Sequence, residues 1–425
     1  VINFLLVTFR RVHAPRETGI QVRDISRRTL LSATALGALG AAGCSAPRTG
    51  KPPPGPAPEA RLIGDGSTSD TGPQPNQPVV DTLDRTKAPP QFVIISWDGA
   101  GELSDGLFAR FLEVARRNGA WMTFFLSGLY FLPEHRKNLY RPPGHPVGAS
   151  DIAYLSEESV HRTIRHIDLA WRAGHEIGTH FNGHFCGPRG VRLWGAADWA
   201  SEIEQAVRFV MNWKTNTGFT DLPPLPFDYR RELVGARTPC LLGQDNLLPT
   251  AAKLGWKYDA SSPGGLQVWP RRRGGLWDFP LQSIPMPGSG FEVLSMDYNI
   301  MFNQSETSTK DKSRHRAWGG QALGTYLAGF ERSYSGNRAP LFVGNHFERW
   351  NGGIYMDAVE RFMDGVGGER DVRMVSFRQF TDWINAQDPA VVERLATLGV
   401  GQRPEQGWAE FLAPSEAEGA AVPVS

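Results

Sequence analysis

Gly174-His175-Glu176-Ile177-Gly178-Thr179-His180-Phe181-Asn182-Gly183-His184 is the stretch on which the fold reading turns. His180 and His184 are four residues apart, a spacing that lets two imidazoles converge on one metal ion. Gly178 and Gly183 permit close backbone approach, and the stretch leaves a predicted strand, which puts the pair at an element end. The plainer alternative is two polar histidines with no ligand. His175 and His180 do not form a zincin pair, because they lie five residues apart and that motif requires four.

Upstream, a helix begins at the capping candidate Ser156, carries Glu157 and Glu158 in its first turn and ends near Gly174. Before it come a buried strand over Phe92–Ser96, a helix from Gly106 to Asn118 with apolar residues at three- and four-residue spacing, and a strand over Trp121–Leu126. Downstream the alternation continues. Helices are expected over Asp198–Lys214, near Leu247, and over Gln321–Ser335, Tyr355–Val366 and Phe377–Ala386. Strands are expected near Leu233 and over Trp256–Tyr258, Pro340–Gly344 and Val372–Ser376. Short β-rich runs alternating with amphipathic stretches indicate an α/β domain of βα repeats over residues 91–388.

The flanks read differently. In residues 1–44, Ser26-Arg27-Arg28-Thr29-Leu30-Leu31 precedes a small-residue apolar run that ends at Cys44, the layout of a twin-arginine export signal. That run is too short to span a bilayer comfortably. Ala41-Ala42-Gly43-Cys44 resembles a lipobox with Ala41 in place of a larger aliphatic residue, so Cys44 is either a lipid attachment point or an incidental cysteine after a plain signal. Residues ahead of Arg23 fit an upstream start codon. Residues 45–90 hold 11 of the 32 prolines and little apolar periodicity, which reads as a disordered tether. Residues 389–425 read as a C-terminal extension.

Composition removes some function classes. Lys plus Arg is 45 against 44 Asp plus Glu, and the resulting formal charge of +1 gives no drive toward nucleic acid or an anionic membrane. There is no Gly-x-Ser-x-Gly elbow, no phosphate-binding loop and no Cys-x-x-Cys pair. The 13 Trp suit stacking on sugar faces, although most Trp fill core. Cys186 and Cys240 are the cysteines left after the signal, either bridged in an oxidising compartment or free and buried.

Three further residues could carry chemistry: Asp98 at the end of the first strand, where βα architectures present catalytic groups, Arg237 in Gly235-Ala236-Arg237-Thr238-Pro239-Cys240, and His346, again just past a strand, in Leu341-Phe342-Val343-Gly344-Asn345-His346. Singly, each reads equally well as a cap, a surface ion pair or a satisfied polar residue. Their order, with the His pair between them, resembles the polysaccharide deacetylase family with NodB homology across about Gln91 to Ala386. Arg237-Thr238-Pro239-Cys240-Leu241-Leu242-Gly243-Gln244-Asp245-Asn246, Gly255-Trp256-Lys257-Tyr258-Asp259-Ala260-Ser261 and Leu276-Trp277-Asp278-Phe279-Pro280-Leu281 are similar to segments of animal-type chitin deacetylases.

The resemblance implies a distorted (β/α) barrel and a divalent ion, usually zinc, on His180, His184 and an aspartate. It also implies Asp98 as general base, Arg237 as its partner and His346 as the acid that protonates the leaving amine. Family members carry two adjacent aspartates where this chain has Asp98 followed by Gly99. Asp98 is then either base or ligand, with Glu102 as a substitute only if the Gly99-Ala100-Gly101 turn folds back. The acidic partner of His346 is Asp278 or Asp297. The expected function is metal-dependent deacetylation of an N- or O-acetylated envelope or extracellular glycan by an exported protein, with no nucleic-acid partner and no membrane contact beyond a lipid at Cys44. The alternatives are a glycan-binding lipoprotein that has lost catalysis and a hydrolase of a small non-sugar amide.

Overall fold

The computed structural model describes residues 60–102 and 105–414. The expected export signal, Cys44 and the first part of the expected tether lie outside the described residues.

A short antiparallel hairpin, β1 (Arg61–Ile63) with β2 (Thr68–Asp70), precedes the central strand β3 (Gln91–Asp98). Helix α1 (Leu107–Arg117), β4 (Thr123–Leu126), α2 (Glu157–Arg172) and β5 (Glu176–Thr179) then alternate. They are followed by α3 (Ala196–Met211), the short α4 (Trp213–Thr217) and α5 (Tyr229–Glu232), β6 (Gly235–Ala236), α6 (Gln244–Lys253) and β7 (Tyr258–Asp259). Five small strands come next: β8 (Pro263–Gly265), β9 (Arg271–Arg273), β10 (Leu276–Asp278), β11 (Leu281–Pro285) and β12 (Glu292–Leu294). The chain then runs through α7 (Asp297–Ser305), α8 (His315–Tyr334), β13 (Leu341–Asn345), α9 (Trp350–Val366), β14 (Val372–Met374), α10 (Phe377–Asn385), α11 (Pro389–Leu395) and α12 (Trp408–Phe411).

The main sheet has nine strands in the order β13-β3-β4-β5-β6-β7-β10-β9, with β14 also paired to β3, and all pairs are parallel except β10 with β9. It curls strongly, as the expected (β/α) barrel does, but stays open, because β9 and β13 do not pair. β11 joins β12 and β8 in a separate small sheet.

β3 reads Gln-Phe-Val-Ile-Ile-Ser-Trp-Asp and is buried along its whole length, as a parallel strand covered on both faces requires. Alternation divides it between two cores. Val93, Ile95 and Trp97 pack with Phe108, Phe111 and Phe124, whereas Phe92 and Ile94 pack with Phe125, Phe342, Phe377 and Phe380. Ser96 and Asp98 continue the second face to the C-terminal end of the strand, so the polar site stands at the top of an aromatic plug. The N-terminus of α2 is set as its sequence suggests, Ser156 Oγ accepting from the Ser159 N–H at 3.2 Å.

The expected tether over 45–90 is corrected by the structure in part: from residue 60 onward the segment is mostly exposed but is anchored to the domain at intervals. Ser67, Thr68 and Ser69 are buried, and Trp213 Nε1 donates to the Ser67 carbonyl at 2.6 Å. Gln74, Asn76 and Gln77 donate side-chain amides to carbonyls of Trp171, His175, Arg172 and Gly174. Those carbonyls lie at and beyond the end of α2, where helical partners run out. Proline-rich composition hid this, because the segment is held by hydrogen bonds and not by a periodic apolar face. In the expected C-terminal extension, residues 389–414 carry the short helices α11 and α12, with Val391, Leu395, Leu398 and Leu412 buried in the second core. No described helix is long and apolar enough to cross a membrane.

Candidate active site

β5 ends at Thr179, and the chain turns sharply into the pocket. Phe181 and His184 both take left-handed backbone conformations, with φ of 61° and 55°. Strain of that kind persists only where the surroundings enforce it. Gly183 shows the enforcement: a Cβ there would stand 2.6 Å from Phe185 and 2.7 Å from the Tyr140 hydroxyl. The Gly183 N–H donates to that hydroxyl at 3.1 Å, and Tyr140 in turn donates to buried Glu202 at 2.9 Å. Asn182 Nδ2 donates to the Glu202 carbonyl at 2.8 Å, which fixes the loop from the other side. The two imidazoles emerge with ring centroids 5.0 Å apart.

His180 Nδ1 is 2.8 Å from the Arg237 carbonyl, so this nitrogen carries the proton and Nε2 is left as a lone-pair donor. Burial holds the His180 ring below the usual histidine range against the pull of Asp98. Burial, reinforced by the charges of His180 and His346, pushes His184 down to about 3. Both rings are therefore neutral at physiological pH, the form that ligates metal.

Asp98 and Arg237 are both buried, and Arg237 Nη1 donates to Asp98 Oδ1 at 2.8 Å and to Ser96 Oγ at 2.7 Å. Arg237 Nε donates to the Ala260 carbonyl, and its guanidinium lies 4.9 Å from the centre of the Phe125 ring. Burial alone would raise the Asp98 pKa, but Arg237, His180 and His346 together hold it below the ordinary carboxylate value.

His346 follows β13, and its Nδ1 is 2.8 Å from Asp297 Oδ1 while its backbone N–H donates to Asp297 Oδ2 at 2.8 Å. Burial disfavours the imidazolium, yet Asp297 overrides it and the pKa is raised. Of the two candidate partners, Asp297 therefore meets His346. Asp278 lies on β10, paired in register with Asp259 on β7. Asp297 opens α7, a helix absent from the sequence reading, and the parallel bridge between Met296 and Gly344 brings it to the end of β13.

Glu102 does not turn toward the histidines. It is buried, accepts from the Ala109 N–H in the first turn of α1 at 3.0 Å, and lies 3.1 Å from His166 Nδ1. The free N–H groups of a helix start and a nearby imidazole supply better partners than the pocket does. Cys186 and Cys240 are joined by a disulfide, with Cα atoms 6.0 Å apart, which ties the His184 loop to the turn after Arg237. Among the described residues, the three metal-type side chains whose donor atoms lie within 4.8 Å of one another are His184, Cys186 and Cys240. The bridge leaves that set no thiolate. Asp98 and His180 are not part of it.

His180, His184, Asp98 and His346 share a pocket of about 490 Å³. Its wall adds residues that no motif announced: Ser127, Tyr130, Tyr298, Glu348 and Trp350. Trp350 is the one with a sequence signal, lying four residues after His346. The two neutral imidazoles fit a divalent ion as nitrogen donors. Asp98 is committed to Arg237, and Gly99 offers no side chain.

No family model matches this chain, and no curated protein matches it. Among solved structures it is similar to a putative polysaccharide deacetylase from Mycobacterium smegmatis, at 14% identity over 75% of this chain and 99% of that chain, with a TM-score of 0.44. It is also similar to a probable polysaccharide deacetylase from Pseudomonas aeruginosa PAO1, at 14% identity over 70% of this chain and 92% of that chain, with a TM-score of 0.40. A third similar structure is a carbohydrate esterase family 4 pseudoenzyme from Bacillus anthracis, at 10% identity over 72% of this chain and 70% of that chain, with a TM-score of 0.36.

Proposed function

We propose that this protein hydrolyses acetyl groups from an N- or O-acetylated envelope or extracellular glycan, using a divalent ion, zinc by its donor set, held by His180 and His184. The observation that carries the reading is one pocket lined by a carboxylate fixed by a buried arginine, two imidazoles held toward their neutral form, and a third imidazole whose own aspartate favours its charged form. A bound ion supplies Lewis-acid polarisation of the acyl oxygen and of water. Asp98, kept ionised by Arg237 through one oxygen, accepts a proton from water as the water oxygen attacks the acyl carbon. His346, whose protonated form Asp297 favours, donates its proton to the departing amine nitrogen or sugar oxygen as the bond to the acyl carbon breaks. The products are acetate and the freed amine or hydroxyl. Trp350 and Tyr298, each partly exposed at the pocket wall, suit the face of a sugar ring.

The expected signal in residues 1–44 supports an exported protein held at a membrane through Cys44 or released. A second reading, glycan binding without turnover, is favoured by Gly99, which leaves the ion without an adjacent carboxylate. Assay of acetate release from chitooligosaccharides and from peptidoglycan, with and without chelator, separates the two. Chelator-sensitive release is the expected result. Measurable glycan binding with no release from either polymer would establish the second reading.

A further inference from the structure

We propose that Gly99 opens a carboxylate-binding niche, in which a carboxylate not carried by residue 99 completes the ion site of His180 and His184; this rests on the reading that both imidazoles hold a divalent ion. Gly99 lines the pocket with φ +60°, and a Cβ at that position would meet nothing closer than 3.7 Å. The atoms at that distance are Ser127 Oγ, Tyr130 Cε2 and the Tyr130 hydroxyl. Space beside the imidazoles is thus lined by two hydroxyl groups.

Ser127 is fully buried, and its Oγ has no hydrogen-bond partner among the described residues. A buried hydroxyl left bare carries an uncompensated desolvation cost, so its partner is expected to come with whatever enters the pocket. Burial pushes the Tyr130 phenol up to about 12, with the Glu348 charge adding to it, so this group too keeps its proton as a donor. Two donors facing one space select an acceptor-only group, and an ionised carboxylate is such a group.

Charge balance favours an anion there. Asp98 is neutralised by Arg237 and Asp297 by His346. An ion on two neutral imidazoles therefore brings net positive charge into a buried pocket, where an unmatched charge is costly. Two sources carry the required chemistry. Glu348, exposed at the pocket wall and close enough to act on Tyr130 electrostatically, is one. A small free carboxylate, such as the acetate that the proposed reaction releases, is the other.

The test measures Co²⁺ and Zn²⁺ affinity by calorimetry on the whole protein, in formate or in chloride at equal ionic strength. If Glu348 fills the niche, Glu348→Gln weakens ion binding about tenfold or more and formate restores it. If a free carboxylate fills it, Glu348→Gln is silent and formate tightens wild-type binding to a similar degree. In either case Ser127→Ala shrinks the effect, and Gly99→Asp abolishes the response to formate because the tethered carboxylate occupies the space. Persistence of the formate response in Gly99→Asp would assign it to an open position on the ion and overturn the niche. Tight ion binding that responds to neither formate nor Glu348→Gln would also overturn the niche, while leaving the imidazole site standing. No ion bound by either wild type or Gly99→Asp would overturn the imidazole site, and the niche with it. Ser127→Ala and Glu348→Gln keep the test decisive if Gly99→Asp, strained at positive φ, fails to fold.

Discussion

His180 and His346 line the same pocket, the first buried and the second partly exposed, and they are opposite in character. The Nδ1 of His180 meets a backbone carbonyl, and the ring is held neutral. The Nδ1 of His346 meets Asp297, and the ring is driven toward its charged form. A dipole orients an imidazole; a full negative charge also decides its protonation. One pocket can thereby hold a ligand and an acid made from the same side chain.

The largest break comes from Asp98, whose charge acts on both rings. Asp98→Asn should lower kcat/KM by about 10²–10⁴ with ion content unchanged, read by acetate release alongside metal analysis. Loss of the ion in that variant would make Asp98 a ligand instead. The same substitution leaves Arg237 buried without a counter-charge, at a cost of about 3–5 kcal/mol, so unfolding in denaturant should be followed in parallel.

Next in size, His346→Ala should reduce turnover by about 10² or more while keeping the ion, whereas His180→Ala should lose the ion. Equal ion loss in both would erase the distinction between the two rings. Asp297→Asn turns the His346 environment into one like that of His180. His346 acts when protonated and its pKa is raised by Asp297, so removing Asp297 should move the alkaline limb of the kcat–pH profile to lower pH. An unmoved limb would remove Asp297 from that role.

The smallest effect tests the same rule on an acid. Glu202 is buried without an ionic partner among the described residues, and burial pushes its pKa up to about 7. The folded chain then binds this proton more tightly than the unfolded chain does. Stability from this group is present below the unfolded value near 4.5 and is lost as pH rises toward 7. Glu202→Gln should flatten that slope and raise the melting temperature at pH 7.5 relative to wild type by about 2–4 °C. No difference between pH 5 and 7.5 would mean that Glu202 has a partner charge after all.

Much of this was readable in advance, for identifiable reasons. Asp98 ends β3, and His180, Arg237 and His346 directly follow β5, β6 and β13, so their strand-end positions could be approached from short strand-like runs in the sequence. Ser156 with its two following glutamates marked α2, because capping chemistry is local. The partner of His346 was left between two aspartates, since it is delivered by a bridge from Met296 to Gly344 that has no local signature. Glu102 was open for a related reason: its direction depends on competition between the pocket, the Ala109 N–H and His166. Ser127 and Tyr130 carry no motif, and matter only because Gly99 leaves them facing open space.

The Cys186–Cys240 bridge has a consequence for when the site comes into being. It closes a 54-residue span and joins the loop bearing His184 to the turn that follows Arg237. Such bridges persist only where thiols are kept oxidised. Under reducing conditions the His184 loop and the turn after Arg237 are held together by packing and hydrogen bonds such as that of His180 Nδ1 with the Arg237 carbonyl, and the left-handed residues Phe181, His184 and Cys240 lose a covalent restraint. Compartment thus becomes part of the assembly instruction, and protein prepared under reducing conditions would be a different starting material for every measurement proposed above.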